Sequence, residues 1–417
     1  MRILWLHQYF ATPKGWGAVR TYEFARRFCS QGHTVDVVCC AGYDASLAGA
    51  GSEPFSVDGV RVYVSGTGYR PHMGFFRRVL SFLQFMAYAV WHVLRRGRGY
   101  DVMIASSGPL TLAVPALIGR WLRCLPFVFE VIDVWPDSAI AAGVLRNPLL
   151  KWLSFRLEAL AYKYASAIVT CSTGMTERVK NKIGADSGIR GSGNKAKVAT
   201  VSNCCDLELF SLDGENRRKT RERMNVRDDQ LVALYTGAMG LSNAIPDLTE
   251  AVRLTAGDER VVWWFAGDGR HADKLKDLGE KGAETCRFFG SLSKGQVVEL
   301  YLAADVNMVT FMHAPLFYEN SPNKFFDGIA AGLPAVFNRT TWLGPWLTQY
   351  ECGIVCQGDA SGKEMADVIC ELAADKGRLQ RMGLGARRLA EEVFSRDKLA
   401  TEYLGIVEQA ARDGCGT

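Results

Sequence analysis

The polar residues best suited to chemistry lie in one short segment, 321–334, whose polar start leads into an apolar stretch. Ser321 is placed to cap a helix, so Asn323 and Lys324 would stand at its positive end, where free N–H groups favour an anion such as phosphate. Asp327 follows one helical turn later and could accept hydrogen bonds from the hydroxyls of a sugar. The segment predicts a phosphate and sugar site. The plain alternative is a capped surface helix with a Lys324–Asp327 ion pair.

A second candidate phosphate site follows the first strand-like run, Arg2–Leu6. Gly15 and Gly17 lie just before a helical stretch, so their amides could approach an anion closely. Arg20 stands where a dinucleotide fingerprint would need its third glycine, which argues against that motif and supplies a positive charge instead. We expect Gly15, Gly17 and Arg20 to contact donor phosphate, with an ordinary strand-to-helix turn as the alternative.

Asp133 is the candidate reactive carboxylate of the first half, because it follows an apolar strand, Phe127–Val131, where burial would raise its pKa. Its alternative role is a helix N-cap before Trp135. The acidic residues do not cluster with histidine in a ligand pattern, and the cysteines lack zinc spacing, so we expect no metal site.

The elements that must position these residues are strands and helices in alternation. Short apolar runs separated by amphipathic stretches fill the first half, and the pattern restarts at Leu231–Thr236. This is typical of an α/β protein with parallel sheets covered on both faces. We predict two doubly wound domains, residues 1–203 and 204–394, with a C-terminal helix at 395–417 packing back on the first. Ser187–Lys197, rich in glycine and serine, is interpreted as a loop.

Composition narrows the functional class. The chain has 417 residues, of which 48% are hydrophobic and 22% charged, so disorder and collagen-like structure are excluded. Residues 1–210 contain 24 Lys and Arg against 14 Asp and Glu, and the remainder contains 25 against 30. The basic first half suggests an anionic partner there. The N-terminal apolar run is too short for a signal peptide and is interpreted as a strand.

Much of that positive charge lies in a window without any acidic residue, between Asp58 and Asp101. An uncharged run, Val79–Leu94, is flanked by Arg77-Arg78 and by Arg95–Arg98. It is shorter than the roughly 20 residues that span a bilayer. Basic ends around an aromatic-rich apolar run suit a helix lying in a membrane interface. A buried core helix is the alternative.

These motifs together resemble the GT-B fold glycosyltransferases of the retaining family GT4, and the resemblance covers nearly the whole chain. The pattern is most similar to the bacterial branch that builds O-antigen, capsule and exopolysaccharide units. The resemblance rests on Gly15-Trp16-Gly17 with Arg20–Glu23, on Glu130–Asp137, on Gly267-Asp268-Gly269, and on Ser321–Asp327 followed by Ala330–Pro334.

The resemblance implies an acceptor-binding N-terminal domain and a nucleotide-sugar-binding C-terminal domain that face each other across a cleft. It implies retaining, metal-independent transfer, without a cofactor, of an N-acetylated hexose or deoxyhexose from a nucleotide sugar, UDP being the expected nucleotide. The acceptor would be a polyprenyl-diphosphate-linked saccharide. The protein would then be cytoplasmic and peripheral on the inner face of the cytoplasmic membrane, held there through segment 70–98.

The resemblance also assigns roles to single residues. Asp133 would be the catalytic or acceptor-orienting carboxylate, and Glu319 would correspond to the first acid of a Glu-x7-Glu motif whose second acid is Asp327 here. Glu319 and Lys324 would take part in catalysis. Gly237 would contact the donor in a stretch that lacks the basic pair of many relatives, so phosphate neutralisation would depend more on Lys324 and Arg20.

Two other functions remain open. A GT-B fold UDP-sugar 2-epimerase would bind the same donor but need no lipid acceptor. A non-catalytic nucleotide-sugar-binding subunit of a membrane assembly would bind without turnover. Nucleic acid is not an expected partner, because the arginines flank an apolar run and do not alternate with exposed aromatic residues.

Overall fold

In a computed structural model, the chain folds into two compact units. The structure describes residues 1–15, 19–47, 54–67, 73–141, 143–185, 196–211, 214–240, 242–280, 285–358 and 361–414. The first unit comprises Met1–Ser202 with Leu399–Thr417, and the second comprises Asn203–Lys398. Each unit has its own sheet and its own buried core.

The first unit is built on an eight-stranded sheet with the order β3-β4-β2-β1-β5-β6-β7-β8. The strands are β1 Arg2–Leu6, β2 Thr34–Cys40, β3 Phe55–Val57, β4 Val60–Ser65, β5 Val102–Ser106, β6 Phe127–Val131, β7 Ala167–Thr170 and β8 Lys197–Thr200. All pairs are parallel except β3 with β4. The central strands are buried along nearly their whole length, as expected for a sheet covered on both faces.

The helices of the first unit connect these strands. They are α1 Arg20–Ser30, α2 Phe75–Arg96, α3 Ala113–Arg123, α4 Asp137–Ala141, α5 Pro148–Tyr164 and α6 Thr173–Ala185. Right-handed crossovers that step from β4 to β5, β6 and β7 all run in one direction across the sheet, so α2, α3 and α5 share a face. The C-terminal helix α15, Arg396–Gly414, contributes Tyr403, which packs edge-on against Trp5 and Phe28 of the core.

The second unit contains a fully parallel six-stranded sheet with the order β11-β10-β9-β12-β13-β14. Its strands are β9 Leu231–Thr236, β10 Val261–Ala266, β11 Cys286–Gly290, β12 Val306–Val309, β13 Ala335–Phe337 and β14 Gly353–Val355. Its helices are α7 Gly214–Arg223, α8 Ile245–Thr255, α9 Ala272–Glu280, α10 Lys294–Ala303, α11 Asn323–Ala330, α12 Gly344–Gln349, α13 Ser361–Ala374 and α14 Lys376–Glu392.

The predicted fold class is confirmed: both units are Rossmann-like α/β layers with parallel sheets. Two strands escaped the sequence analysis. The three-residue β3 lies at the sheet edge and has no buried residue, so it carries no apolar run to detect. The other, β8, is only partly buried. The predicted loop Ser187–Lys197 lies almost wholly outside the described residues.

The apolar segment of the first half is one long helix, α2, from Phe75 to Arg96. Among the helices of the described ranges, none combines the length and apolar character needed to cross a bilayer.

Candidate functional site

Two glycine turns meet at the carboxyl ends of β9 and β10, the edge at which open parallel sheets bind ligands. Gly237 follows β9 with a φ of +102°, and Gly267 follows β10 with a φ of +144°. A Cβ on Gly267 would lie 1.9 Å from the carbonyl oxygen of Gly237. Only glycine allows this close approach, so the two turns are fixed against each other.

Lys324 extends from the first turn of α11 towards this edge. Its Nζ lies 3.6 Å from the centre of the Tyr235 ring, and a Cβ on Gly237 would lie 3.9 Å from it. Although part of the side chain is accessible, Nζ itself is buried and has no hydrogen-bond partner among the described residues. Burial lowers the pKa of Lys324 to about 7. A buried, unpaired amine beside a glycine turn is suited to receive an anionic group.

Two side chains of the second unit fix the backbone of Lys324 by hydrogen bonds. Its carbonyl oxygen accepts hydrogen bonds from Asn307 Nδ2 at 2.9 Å and from the Tyr301 hydroxyl at 3.1 Å. Gly328 makes room for Asn307, because a Cβ there would lie 2.2 Å from Asn307 Nδ2. The apolar face of α11, with Phe325 and Phe326, is buried. The position of the amine is therefore set by the core of the second unit.

Asp327 forms an ion pair with Lys294 and not with Lys324. Its Oδ2 accepts from Lys294 Nζ at 2.8 Å, and that ammonium also lies 5.2 Å from the centre of the Phe210 ring. The capped surface helix with an internal Lys324–Asp327 pair is therefore not what the chain forms. Asp327 keeps a second carboxylate oxygen that could accept a ligand hydroxyl.

The predicted cap of this helix is wrong by one residue. The helix begins at Asn323, and its N-cap is Pro322, which makes no side-chain capping hydrogen bond. Ser321 instead contacts Asn203: its Oγ accepts from the Asn203 amide at 3.3 Å, and its carbonyl accepts from Asn203 Nδ2 at 2.6 Å. Asn323 is exposed at the helix start, and Glu319 ends a 3-10 turn at Pro315–Glu319 in a partly exposed position.

Asp133 lies two residues beyond β6 in the first unit. Its carbonyl accepts hydrogen bonds from the Trp135 amide at 2.9 Å and the Ser107 hydroxyl at 3.2 Å. The next helix begins only at Asp137, so Asp133 is not its N-cap. No described residue donates a hydrogen bond to its carboxylate. Asp133 is exposed as a residue, and desolvation by the protein atoms around its carboxylate raises its pKa.

The predicted glycine site of the first unit looks different in the structure. The amide of Gly15 donates to the Thr12 carbonyl at 2.9 Å and is therefore already used in a turn. Gly17 lies outside the described residues. Arg20 is buried, with its Nε 3.1 Å from Glu130 Oε1, and its other guanidinium nitrogens donate to the carbonyls of Val201 and Ser202. These contacts hold β6 to the segment after β8 and occupy the guanidinium, which argues against Arg20 as a phosphate ligand.

The partners that define the second-unit site, Tyr235, Lys294 and Asn307, could not be identified from the sequence. A tyrosine within an apolar strand and a lysine at a helix start carry no motif of their own. Only the spacing of Tyr235 directly before Thr236-Gly237 hinted at a role. Within the described ranges, no three His, Cys, Asp or Glu side chains lie close enough together to hold a metal ion.

The fold class that these two units define is the GT-B architecture. The structure of Anabaena Alr3699/HepE in complex with UDP and glucose is similar to this chain, with a TM-score of 0.70 and 16% sequence identity. The match covers 98% of this chain and 99% of the Anabaena chain. Sucrose-phosphate synthase from Thermosynechococcus elongatus has a TM-score of 0.72 at 14% identity, covering 99% of both chains. Likeness at such low identity shows the fold alone.

Two family models match the chain, one in each half. Residues 17–188 match the glycosyl transferase 4-like domain, and residues 216–389 match the glycosyl transferases group 1 family. A probable glycosyltransferase, WbjE of Pseudomonas aeruginosa, is 24% identical over 325 residues, which are 76% of this chain and 75% of the relative. The two models together span most of the chain, so it is a glycosyltransferase with the GT-B fold.

Proposed function

We propose that the protein transfers a sugar from a nucleotide-sugar donor held by its second unit to the hydroxyl of an acceptor. The observation that carries the proposal is Lys324, whose buried amine, beside the Gly237 turn, has no hydrogen-bond partner in the part of the chain that the structure describes. Burying an unpaired amine costs stability, and a donor diphosphate would supply the missing counter-charge.

The proposed chemistry follows from the charge that develops during transfer. When the bond from the sugar to the diphosphate breaks, negative charge grows on the leaving oxygens, and positive groups fixed in advance stabilise it. Lys324, Ser321 and Asn323 at the start of α11 would supply that environment, with the Gly237 turn close to the phosphates. Asp327 would accept the ribose hydroxyls, and Glu319 would orient the sugar.

Asp133 is proposed as the carboxylate that acts on or orients the acceptor. Its carboxylate accepts no hydrogen bond from any described residue and its pKa is raised, which suits a group that exchanges a proton with a hydroxyl. In this proposal, the first unit binds the acceptor and Asp133 is its reactive carboxylate. Transfer with retention of anomeric configuration, and without a metal, is part of the same proposal.

The substrates are proposed by chemistry and by analogy. UDP is the nucleotide proposed by analogy, because a protein of the same fold was solved in complex with UDP and glucose. Surface polysaccharide synthesis is the proposed role, supported by the name of a relative from Bacillus subtilis, "Putative teichuronic acid biosynthesis glycosyltransferase TuaC". A polyprenyl-diphosphate-linked saccharide is the acceptor proposed for that role. Such an acceptor would place the protein at the inner face of the cytoplasmic membrane.

A transfer assay with a panel of UDP-sugars and lipid-linked acceptors tests the function. We expect wild-type protein to join sugar to acceptor, and Asp133→Asn to lower the rate by about a hundred-fold while donor binding persists. Asp137→Asn is the matched control, because Asp137 lies in the same segment but pairs with Lys182. Epimerised donor, or binding without any turnover across the panel, would contradict the proposal.

A further inference from the structure

Large apolar side chains are exposed mainly in the first unit. Among the described residues of the second unit, the large hydrophobics that reach high exposure are Leu209, Leu254 and Leu384, on separate elements. In the first unit most of them belong to three helices, α2, α3 and α5. Isolated exposed apolar residues are normal, whereas a concentration on neighbouring helices marks an interaction surface.

Helix α2 is apolar on both of its sides. Phe85, Ala89 and Val93 face the core and are fully buried. On the opposite side, exposed residues recur at helical spacing: Phe76, Leu80, Leu83 and Trp91. A helix that is apolar all round belongs in a protein interior or against lipid, yet this one has only one covered side.

Helix α5 repeats the feature. Leu149, Trp152 and Leu153 lie at i, i+3 and i+4 and are exposed by 61%, 58% and 46%. The third helix with exposed apolar side chains is α3, where Trp121 and Leu122 of the last turn are exposed. None of these α3 and α5 residues was identified from the sequence.

The three helices lie next to one another. Arg123 at the end of α3 donates from Nε to the Leu94 carbonyl of α2 at 2.9 Å. Trp121 of α3 meets Tyr164 of α5 edge-on, with ring centroids 5.4 Å apart. Their crossovers also place them on the same face of the sheet. The exposed residues therefore form one surface, here called the three-helix face.

The charge of the three-helix face has a single sign. The sequences of α2 and α3 contain no acidic residue, and the only one in α5 is Glu158, which is buried and paired with Lys182. Basic residues border the apolar side chains. Of these, Arg77, Arg95 and Arg156 are exposed and form no ion pair with any described carboxylate.

We propose that the three-helix face docks on the surface of an anionic lipid bilayer, with its leucine and tryptophan side chains among the lipids and its arginines at the headgroups. Apolar side chains enter the headgroup boundary, and each basic residue near the surface adds attraction to anionic lipid. A protein partner would be expected to bring acidic groups matched to particular arginines, whereas a bilayer needs only the shared sign. The inference deepens the proposed function, because a lipid-linked acceptor lies in that surface.

Vesicle flotation tests the proposal without any transfer reaction, so its outcome is independent of the proposed function. Phosphatidylglycerol–phosphatidylcholine vesicles are compared with pure phosphatidylcholine vesicles. The test variants are Leu149→Ser/Trp152→Ser on α5 and Arg95→Gln/Arg156→Gln. Leu254→Ser/Leu384→Ser is the matched control, since these leucines are exposed by 56% and 66% but lie on the second unit.

We expect wild-type and control proteins to float with anionic vesicles and to bind phosphatidylcholine much more weakly. The serine variant should partition about ten-fold less or weaker still, and the glutamine variant about five-fold less per arginine. Unchanged flotation of the serine variant would overturn the proposal. A wild-type dimer that the same serine substitutions dissociate would overturn it too, by assigning the face to a second copy of the chain. Circular dichroism melts show whether each variant is folded, and a variant that fails to fold is replaced by Leu80→Ser/Trp91→Ser on α2.

Discussion

The amine nitrogen of Lys324 lies 3.6 Å from the centre of the Tyr235 ring and has no hydrogen-bond partner among the described residues. The face of an aromatic ring attracts a cation, but it replaces only part of the hydration that a buried ammonium loses. The ligand-free protein thus keeps an incompletely stabilised positive group at the carboxyl edge of its second sheet. Binding sites commonly carry such a cost in stability.

Replacing Lys324 by methionine should therefore stabilise the ligand-free protein or leave its stability unchanged. Methionine fills a similar volume without a polar group, so the penalty of burying the amine disappears. Urea unfolding measures the effect. Lys376→Met is the control, because Lys376 is exposed and its Nζ donates to the Asp228 carbonyl at the other end of the unit. A clear loss of stability in the Lys324 variant alone would contradict this explanation.

The same lysine predicts a pH dependence. Its pKa is about 7 in the folded protein against 10.5 for the free side chain, so the unfolded state binds more protons between these values. The free energy of unfolding therefore rises with pH across that window. The unfolded state binds the extra proton, so it is favoured less as the proton concentration falls. The stability advantage of Lys324→Met should shrink between about pH 7 and 10. A pH-independent difference between variant and wild type would argue that the lysine titrates normally.

Donor binding should also take up a proton above neutral pH, because a diphosphate beside Lys324 favours the charged form of the amine. Calorimetric titration at pH 8 in buffers of different ionisation enthalpy measures this uptake. We expect a fraction of a proton for wild type and for Lys376→Met, and none for Lys324→Met. Equal uptake by all three proteins would assign the proton to another group.

Asp327 should contribute to binding the nucleoside and not to binding the phosphates. Asp327→Ala is expected to weaken UDP binding by about ten-fold, the value of a lost hydrogen bond to a charged group. Binding of inorganic diphosphate should stay close to wild type. Asp367→Ala removes a comparable but exposed Lys–Asp pair and serves as the control. If both ligands weaken equally, Asp327 acts through the shape of the helix and not on the ribose.

Arg20 should matter for folding and not for the donor. Its guanidinium is buried against Glu130 and two carbonyls, so Arg20→Ala leaves a buried carboxylate without its cation. Loss of one partner from a buried pair costs about 3–5 kcal/mol. Chemical denaturation should show this loss while the Kd for the donor stays within about two-fold. Normal stability with weakened donor binding would restore Arg20 as a phosphate ligand.

The fold followed from patterns that are local and strong. Near-continuous apolar runs such as Val261–Ala266 predicted parallel strands because burial on both faces demands them. The glycine turn after that strand was also predictable, because Gly267 directly follows the apolar run. The edge strand Phe55–Val57 was not, since its three residues carry no burial signal.

The sequence indicated which residue types form the second-unit site, but it did not indicate which side chains contact one another there. The segment from Ser321 to Asp327 indicated an anion site. The sequence could not show that Asp327 pairs with Lys294, 33 residues earlier, which leaves the Lys324 amine without a hydrogen-bond partner among the described residues. It likewise could not show that Glu130, 110 residues away, occupies Arg20. Long-range pairing of charges depends on the packed fold, and spacing along the chain does not encode it.

The central claim is that Lys324 binds the diphosphate of a nucleotide sugar. Isothermal titration of wild type, Lys324→Met and Lys376→Met with a panel of nucleotide sugars tests it most directly. We expect one nucleotide sugar to bind wild type and Lys376→Met with the same affinity, and to bind Lys324→Met about ten-fold or more weakly. Equal affinity for all three proteins, or no binding by any nucleotide sugar, would contradict it.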